Sequence, residues 1–251
     1  MSSGRLDIVG LGPGPFEWMT PEAQSLIEKA TDLVGYGVYL DRLPAAPGQA
    51  RHTSDNRVEI DRARAALDLA LAGRRVALVS GGDPGIFAMA ATVFEAIETG
   101  DPRWRSLAIE THPGVSAMLA AAARLGAPLG HDFAVISLSD NLKPWKAIER
   151  RVKAAAEADF VLALYNPASK ARSKPIHDAF ALLASVKPAE TLVAFARAVG
   201  RLDERIELTT LGAADPSIAD MSTLVLIGSS QTRRIERADG GCWVYTPRSY
   251  R

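Results

Sequence analysis

Short apolar runs alternate with helical patterns of hydrophobic residues along most of this chain, and no other feature of the sequence restricts the fold as much. Residues 76–80 form a continuous apolar run that ends in serine, which is typical of a strand buried on both faces of a parallel sheet. Near the end of the chain, segments 206–210, 223–227 and 243–246 follow one another with little helix between them, which indicates antiparallel pairing. We therefore expect an α/β protein with mixed sheets.

Local signals place the helix boundaries and one domain boundary. Thr20 is expected to cap a helix that has Pro21 at its first position, and Gly73 ends a helix over residues 60–71. An extended segment meets a Pro-Gly turn after His112, so we expect two α/β domains, 1–112 and 113–251. The remaining predicted helices cover residues 86–97, 115–125, 145–156 and 176–186, and the remaining predicted strands cover 6–11, 133–138, 160–164 and 192–196.

Composition excludes several classes of protein. The 251 residues are 47% hydrophobic and 23% charged, so the chain can bury a core large enough to fold. Its 29 basic and 29 acidic side chains cancel, which argues against a nucleic-acid partner. No apolar run reaches the roughly 20 residues of a membrane helix, and the first residues are polar, so we expect neither a membrane partner nor a signal peptide. With Cys242 as its single cysteine and no disulfide framework, the chain reads as a cytoplasmic globular protein.

A glycine-rich turn, Gly10-Leu11-Gly12-Pro13-Gly14-Pro15, follows the first predicted strand. It is not a dinucleotide-binding fingerprint, because Pro15 stands where the third glycine is needed. It is not a phosphate-binding P-loop either, since the Gly-Lys-Ser/Thr sequence is absent and two prolines remove amides. Two interpretations remain: a tight structural turn, or a backbone surface that a ligand without phosphates approaches closely.

Two further loops follow strands at positions where open α/β sheets bind ligands. In residues 80–86, Asp83 either caps the next helix or accepts hydrogen bonds from a polar ligand, and the glycines allow that ligand close to the backbone. In residues 113–117, Ser116 is either a helix N-cap or part of a ligand site with room left by its small neighbours. The residues alone leave both pairs of alternatives open.

Polar residues also end two later strands. Residues 137–141 include Ser139 and Asp140, a polar cluster that a core would not require, and Asp140 is the preferred acid–base candidate. Tyr165 and Asn166 end the next strand, and the Tyr165 ring can face either the core or a ligand. The scattered histidines, His112, His131 and His177, have spacings that support no metal site. Cys242 is expected to be inert.

Taken together, these segments resemble the tetrapyrrole methylases, the S-adenosylmethionine-dependent methyltransferases of cobalamin and sirohaem synthesis. The resemblance covers essentially the whole chain and rests on residues 9–14, 82–84, 113–117 and 223–228. Segments 34–41, 131–140, 163–167 and 243–248 narrow it to members that methylate C17 of a precorrin with ring contraction. The alternatives are a cobalt-containing precorrin, methylation at C11 or C20, and a tetrapyrrole carrier without catalysis.

The resemblance implies a homodimer of two-domain α/β subunits, with S-adenosylmethionine, and its product S-adenosylhomocysteine, in a cleft between the domains. It implies no bound metal, and a polycarboxylate tetrapyrrole as the substrate. The cofactor pocket is implied to include Pro13, Gly82, Asp83, Ile86, Ser116, Ala117, Tyr165, Ala198, Val199, Ser222 and Thr223. The substrate is expected to meet Gly10, Gly12, Gly14, Ser139 and Asn166, with Asp140 as the catalytic residue.

Basic side chains are expected to bind the substrate carboxylates, although each is also compatible with a solvated surface. The candidates are Arg150, Arg151, Lys170, Arg172, Lys174, Arg233 and Arg234. Two positions depart from the pattern of the family: Gly81, where relatives often carry serine, and Gly37, where they often carry lysine. The second departure weakens any expectation of a basic substrate contact at that position.

Overall fold

The computed structural model describes residues 4–55, 58–169 and 172–249. The chain divides into two compact units, Met1–Ser116 and Ala117–Arg251. The folding domains predicted from the sequence, 1–112 and 113–251, place their boundary a few residues earlier and stay a prediction. Lys170, one of the predicted substrate contacts, lies outside the described residues. Within those residues, no helix has both the length and the apolar character needed to cross a membrane.

The first unit contains a five-stranded sheet in which every pair of neighbouring strands is parallel. Its elements are β1 (Arg5–Gly10), α1 (Pro21–Lys29), β2 (Asp32–Tyr36), α2 (Gly37–Leu40), β3 (Ala50–Ser54), α3 (Glu59–Leu71), β4 (Arg75–Ser80), α4 (Met89–Thr99) and β5 (Ala108–His112). The strand order is β3-β2-β4-β1-β5, so the carboxyl ends of β4, β1 and β5 are neighbours.

Burial on both faces explains the apolar run in β4. Leu78 packs in one hydrophobic cluster with Leu67 of α3, whereas Val79 packs in another with Ala23 and Ile27 of α1. Helices therefore cover both faces of the sheet, as the run predicted. The start of α1 also follows the prediction, because the Thr20 hydroxyl accepts a hydrogen bond from the Ala23 amide over 3.1 Å.

The second unit contains a mixed five-stranded sheet of order β10-β9-β11-β8-β7 and a small sheet of order β12-β13-β6. Its elements are α5 (Ala117–Leu125), β6 (Gly126–Ala127), β7 (Phe133–Ser137), α6 (Trp145–Glu157), β8 (Val161–Tyr165), α7 (Lys174–Ala184), β9 (Leu192–Arg197), β10 (Arg205–Thr210), β11 (Thr223–Ile227), β12 (Arg233–Glu236) and β13 (Cys242–Tyr245). Strands β7 and β8 are parallel, and β11 runs antiparallel to both β8 and β9. The predicted antiparallel end of a mixed sheet is therefore confirmed for β10 and β11, which both pair with β9. The third predicted strand, β13, instead lies in the small sheet, antiparallel to β12.

Several parts of the fold differ from the expectation, among them α2 and β6, which were not predicted. The strands β2 and β3 had no predicted counterpart: β2 begins with a buried aspartate, and β3 reads Ala-Arg-His-Thr-Ser, which lacks an apolar pattern. The helix expected from residue 86 begins only at Met89, because Phe87 has a left-handed backbone with φ of 52°. The strand β12, which carries Arg233 and Arg234, was also not predicted.

Candidate active site

Three loops meet at the carboxyl ends of β1, β4 and β5 in the first unit; we call residues 11–15, 81–86 and 113–116 the three-loop cluster. Gly12 and Gly82 each donate a backbone hydrogen bond to the carbonyl of the other over 3.1 Å. A Cβ on Gly10 would lie 2.7 Å from both the Gly82 oxygen and the Gly114 nitrogen, and a Cβ on Gly114 would lie 2.3 Å from the Gly82 oxygen. These glycines are therefore required where three backbones touch.

The glycine-rich turn is part of this packing. Gly12, Pro13 and Gly14 are all buried, and the Gly12 amide and carbonyl are both used in bonds inside the unit. The structure therefore favours the tight structural turn for these backbone groups. Contact of Gly10, Gly12 and Gly14 with the substrate stays a prediction. No sequence pattern pointed to Arg42, whose guanidinium donates to the carbonyl oxygens of this turn.

The Asp83 carboxylate joins two loops of the cluster. Its Oδ1 accepts a hydrogen bond from the Gly85 amide over 2.8 Å, and its Oδ2 accepts one from the Gly114 amide over 3.1 Å. Helix α4 begins six residues later, at Met89, so of the two alternatives for Asp83 the helix cap is wrong. Asp83, Gly82 and Ile86 are each half-buried, which leaves part of this loop open to a ligand.

Ser116 is the one described residue with a buried side-chain oxygen or nitrogen that has no hydrogen-bond partner. It is 3% exposed, and its Cα lies 3.9 Å from the point that a Cβ of Gly82 would occupy. Its hydroxyl makes no capping bond at the start of α5, so the N-cap alternative is wrong. A buried hydroxyl without a partner is costly, since its hydrogen bonds to water are not replaced. This orphaned group indicates a ligand that supplies the missing partner.

The second unit brings several predicted residues to one edge of its mixed sheet, where β7, β8 and β9 end and β11 begins. This edge carries Ser139, Asp140, Tyr165, Asn166, Ala198, Val199, Ser222 and Thr223. The backbone is left-handed at Asn166, with φ of 52°, and at Ala198, with φ of 50°. Such a conformation is unusual for alanine, and strain of this kind is concentrated at functional sites.

The Tyr165 side chain is oriented by the neighbouring helix. Its hydroxyl accepts a hydrogen bond from the Met118 amide over 3.0 Å, which satisfies one of the open donors at the start of α5. Tyr165 is half-buried, so neither the purely core-facing nor the purely ligand-facing alternative describes it. Ala117, at the first position of α5, is also half-buried.

A carboxylate that no sequence pattern singled out organises the start of β11. Asp220 Oδ1 accepts hydrogen bonds from the Ser222 amide and the Thr223 hydroxyl, each over 2.8 Å, and Asp220 Oδ2 accepts one from Arg197 Nε over 2.8 Å. Burial raises the pKa of Asp220, but the hydrogen bonds from Thr223 and Arg197 outweigh burial and hold the pKa below its ordinary value. The Thr223 hydroxyl and amide are therefore both used inside the unit, and contact of Thr223 with a cofactor stays a prediction.

The polar residues after β7 and β8 form a network around Arg172. The guanidinium donates to the carbonyls of Leu138 and Asn166, over 3.1 and 3.0 Å, and its Nε lies 3.5 Å from Asp140 Oδ1. The Asn166 amide group donates to the Ser137 hydroxyl over 3.0 Å. Arg172 is therefore mostly buried and held by backbone carbonyls, so it is not a solvated cation, and its contact with a substrate carboxylate stays a prediction. Asp140 is ion-paired, and its catalytic role stays a prediction.

The other predicted basic contacts that the structure describes lie on the surface. Arg150 and Arg151 are exposed on α6, and Lys174 forms an ion pair with Asp178 one turn further along α7. Arg234 Nε lies 2.7 Å from a Glu236 carboxylate oxygen. Exposed pairs of this kind contribute little to stability, and their cations can exchange a protein carboxylate for one of a substrate.

One group of side chains in the described part of the chain has the spacing of metal ligands: Asp7, Glu110 and His112, with ligand atoms within 4.8 Å of one another. The spacing of the histidines gave no sign of it, because the sheet register brings Asp7 beside Glu110. Arg5 occupies these carboxylates, with nitrogen–oxygen distances of 2.6 Å to Asp7 and 2.9 Å to Glu110. The group is therefore an ion-pair network.

Residues 5–215 match the family model of the tetrapyrrole (corrin/porphyrin) methylases, so the chain belongs to that family and is a methyltransferase. It is 57% identical to a precorrin-3B C(17)-methyltransferase of Sinorhizobium sp over 248 residues, which cover 99% of this chain and 98% of that protein. It is 44% identical to a probable cobalt-factor III C(17)-methyltransferase of Salmonella typhimurium, over 90% of this chain and 93% of that protein.

Solved structures agree with this assignment. The crystal structure of the methyltransferase CobJ matches with a TM-score of 0.93 and 47% identity, over 98% of this chain and 100% of that one. A uroporphyrin-III C-methyl transferase from Thermus thermophilus, complexed with S-adenosyl homocysteine, shares the fold with a TM-score of 0.69 and 22% identity, over 90% and 97% of the two chains. The predicted family and its α/β fold are confirmed.

Proposed function

We propose that this chain transfers a methyl group from S-adenosylmethionine to C17 of precorrin-3B in cobalamin biosynthesis, and that the same protein contracts the ring to give precorrin-4. The similarity to the Sinorhizobium methyltransferase over almost the full length of both chains carries this proposal. The sequence segments that resemble C17 methylases agree with it and are distributed over both units of the fold.

The residues of the three-loop cluster fit S-adenosylmethionine. The buried Ser116 hydroxyl needs a hydrogen-bond partner, which the polar groups of a nucleoside or an amino acid would supply. The cofactor carries no phosphate, so the amides that Pro13 and Pro15 remove are not needed. We therefore assign Ser116, Gly82 and the open side of Asp83 to cofactor binding. When bound, the cofactor supplies an electrophilic methyl group on a sulfonium centre.

The contribution of the chain to methyl transfer is positioning. Displacement at a methyl group needs the attacking carbon, the methyl carbon and the sulfur in line, and holding reactants in such an arrangement supplies much of the catalysis. The backbone contacts among Gly10, Gly82 and Gly114 make the three-loop cluster rigid enough for that task. Charge is neutralised at sulfur as the methyl group leaves, so the displacement itself requires no strong base.

Ring contraction requires proton movements, and we assign these to Asp140. Its carboxylate lies at the strand edge of the second unit and is 38% exposed, so it can exchange protons with a bound substrate. Arg172 orients it from one side. Ser139 follows the end of β7, and its amide is held by the Ser137 hydroxyl over 3.3 Å. We assign Ser139 and the Asn166 segment to substrate contact at this edge.

Mass spectrometry after incubation with S-adenosylmethionine and precorrin-3B tests the proposal. We expect a product heavier by one methyl group in place of a hydrogen atom, with the absorption spectrum of a contracted ring. Binding of the tetrapyrrole with no change in its mass would instead show a carrier. Methylation at C11 or C20, located by nuclear magnetic resonance, would move the chain to another reaction of the same family.

A cobalt-containing substrate is the second candidate, favoured by the 44% identity to the Salmonella protein. A metal in such a substrate travels inside the macrocycle, so it needs no protein ligands. Parallel assays with precorrin-3B and cobalt-factor III at equal concentration distinguish the two. The proposed function requires the higher kcat/KM with precorrin-3B.

A homodimer and a cytoplasmic location complete the proposal. The resemblance to the family supports the homodimer, and light scattering on the purified protein measures it. The kinship with biosynthetic enzymes supports the location, which fractionation of the producing cells tests.

A further inference from the structure

Arg42 holds the glycine-rich turn from outside. It follows α2, and it reaches across about 30 residues of sequence to three backbone oxygens of one turn. Nη1 donates to the Gly12 carbonyl over 3.1 Å, while Nη2 donates to the Gly14 carbonyl over 2.7 Å and to the Leu11 carbonyl over 3.3 Å. Because this turn is buried, its carbonyls depend on protein donors in place of water.

The planar guanidinium suits this task. It presents five donors in a fixed fork, so that one side chain can bind several oxygens in a defined arrangement. A lysine ammonium would meet the same oxygens as a mobile point charge. Arg42, which follows α2, therefore fixes the backbone between Leu11 and Gly14.

Hydrogen bonds connect the glycine-rich turn to the other two loops of the three-loop cluster. Gly12 and Gly82 exchange two backbone hydrogen bonds, and Asp83, the next residue, binds the Gly114 amide. A shift of the turn would therefore move the Gly82–Asp83 segment, and with it the loop that leads to Ser116. All of these residues belong to the first unit.

We propose that Arg42 is a positioning residue for the cofactor and substrate of this enzyme, acting through the glycine-rich turn. The proposal rests on the proposed function, in which Gly82, Asp83 and Ser116 hold S-adenosylmethionine. Arg42 does not touch the reacting atoms in this mechanism; it fixes the backbone turn that packs against the cofactor-binding loops.

Arg51 provides a matched control inside the same unit. It also donates to three backbone carbonyls, those of Leu40, Leu43 and Pro44, but these belong to α2 and the segment after it, which carries Arg42 and is not part of the glycine-rich turn. Arg42→Gln and Arg51→Gln therefore remove the same kind of interaction, and only the first removes it from the turn. Both variants are expected to unfold at lower urea concentration than the wild type, by similar amounts.

The decisive measurements are the affinity for S-adenosylhomocysteine, by calorimetry, and kcat/KM for methyl transfer to precorrin-3B. We expect Arg42→Gln to bind the cofactor product several times more weakly and to lose about 10²-fold in kcat/KM, the scale of a small misplacement of reacting groups. Arg42→Lys recovers part of both losses, because one oxygen at a time can still be bound. Arg51→Gln leaves the Arg42 guanidinium intact and loosens only the segment that carries it, so it should lose less than Arg42→Gln in both values.

Three outcomes distinguish a failure of the Arg42 proposal from a failure of the proposed function. If the wild type is active and the two Gln variants behave alike, in either direction, Arg42 has no positioning role and the inference fails. If the wild type binds S-adenosylhomocysteine but does not methylate precorrin-3B, the proposed substrate is wrong, and the calorimetric comparison alone decides on Arg42. If the wild type does not bind S-adenosylhomocysteine, the cofactor assignment fails and Arg42 loses its proposed role with it.

Discussion

The backbone amide of Gly114 donates a hydrogen bond to Oδ2 of Asp83 over 3.1 Å, across 31 residues of sequence. The other oxygen of the same carboxylate accepts from the Gly85 amide. Asp83 thus fixes the loop after β4 to the loop after β5, and any ligand that contacts Asp83 meets a carboxylate whose orientation is already set. Pre-orientation of this kind lowers the entropy lost when a ligand binds.

Replacing Asp83 with alanine should weaken binding of S-adenosylhomocysteine by about 1–3 kcal/mol, because hydrogen bonds to a charged group are lost. Asp83→Asn retains one acceptor oxygen and should lose less. Calorimetry gives the affinities, and urea unfolding shows whether the variants are folded. Asp101→Ala is the control, since Asp101 binds the Arg103 amide in a loop outside the cluster. A folded Asp83→Ala protein with wild-type affinity would make Asp83 a purely structural link.

Ser116→Ala should weaken cofactor binding without destabilising the protein. Without ligand, the buried hydroxyl has no partner among the described residues, so its removal should leave the free energy of unfolding unchanged or raise it by up to about 1 kcal/mol. Affinity for S-adenosylhomocysteine should fall about tenfold, equivalent to about 1.4 kcal/mol.

Ser137→Ala is the matched control for that stability measurement. Ser137 is also buried, but its hydroxyl accepts a hydrogen bond from the Asn166 amide group, so its loss should destabilise the protein by about 1 kcal/mol. Equal destabilisation in the two serine variants would show that the Ser116 hydroxyl has a partner within the protein.

Asp140→Asn should separate methylation from ring contraction. Removing the acid–base group should slow contraction by about 10²–10⁴-fold and leave methyl transfer intact, so that a methylated, uncontracted intermediate accumulates. Its mass and absorption spectrum identify it. Arg172→Gln removes the ion pair and keeps the carboxylate, so it should contract the ring faster than Asp140→Asn does. Equal contraction rates in Asp140→Asn and the wild type would leave Asp140 with a structural role only.

Asp32 should make stability depend on pH in the acid range. It is 2% exposed, and its carboxylate is bound by the Thr31 hydroxyl, His52 Nε2 and Arg74 Nε at 2.7–2.8 Å. Burial raises its pKa, but the hydrogen bonds from Thr31, His52 and Arg74 outweigh burial and hold the pKa below the ordinary value. A lowered folded-state pKa stabilises the protein above the unfolded-state pKa of about 3.9, and this contribution is lost as pH falls through the folded-state value.

The corresponding measurement is urea unfolding between about pH 3 and pH 7. Asp32→Asn should be less stable than the wild type at neutral pH by about 1.5–3 kcal/mol, and the difference should shrink as the wild-type carboxylate takes up its proton. Asp61→Asn, on the exposed surface of α3, should show neither effect. A difference between Asp32→Asn and the wild type that stays constant with pH would contradict the assignment.

The sequence by itself determined the secondary structure wherever interactions between residues close in the sequence are sufficient to fix it. The apolar run of β4 and the Thr20 cap of α1 lie where their patterns predicted, because burial on both faces and an open amide at a helix start each leave a local signature. The family could also be predicted from the sequence, because its motifs are short segments in a fixed order. The polar strand β3 left no such signature and was missed.

Only the tertiary structure decided what the candidate site residues do. In the sequence, a helix cap is one interpretation of Asp83, but in the structure its carboxylate accepts a hydrogen bond from Gly114 in another loop. Ser116 also reads as a cap, yet its hydroxyl is buried with no partner among the described residues. Arg42 has no local signature, because its three acceptors lie about 30 residues away. The order of strands in the sheet determines which loops are neighbours, and neighbouring loops supply these hydrogen-bond partners. The spacing of residues in the sequence does not reveal that order.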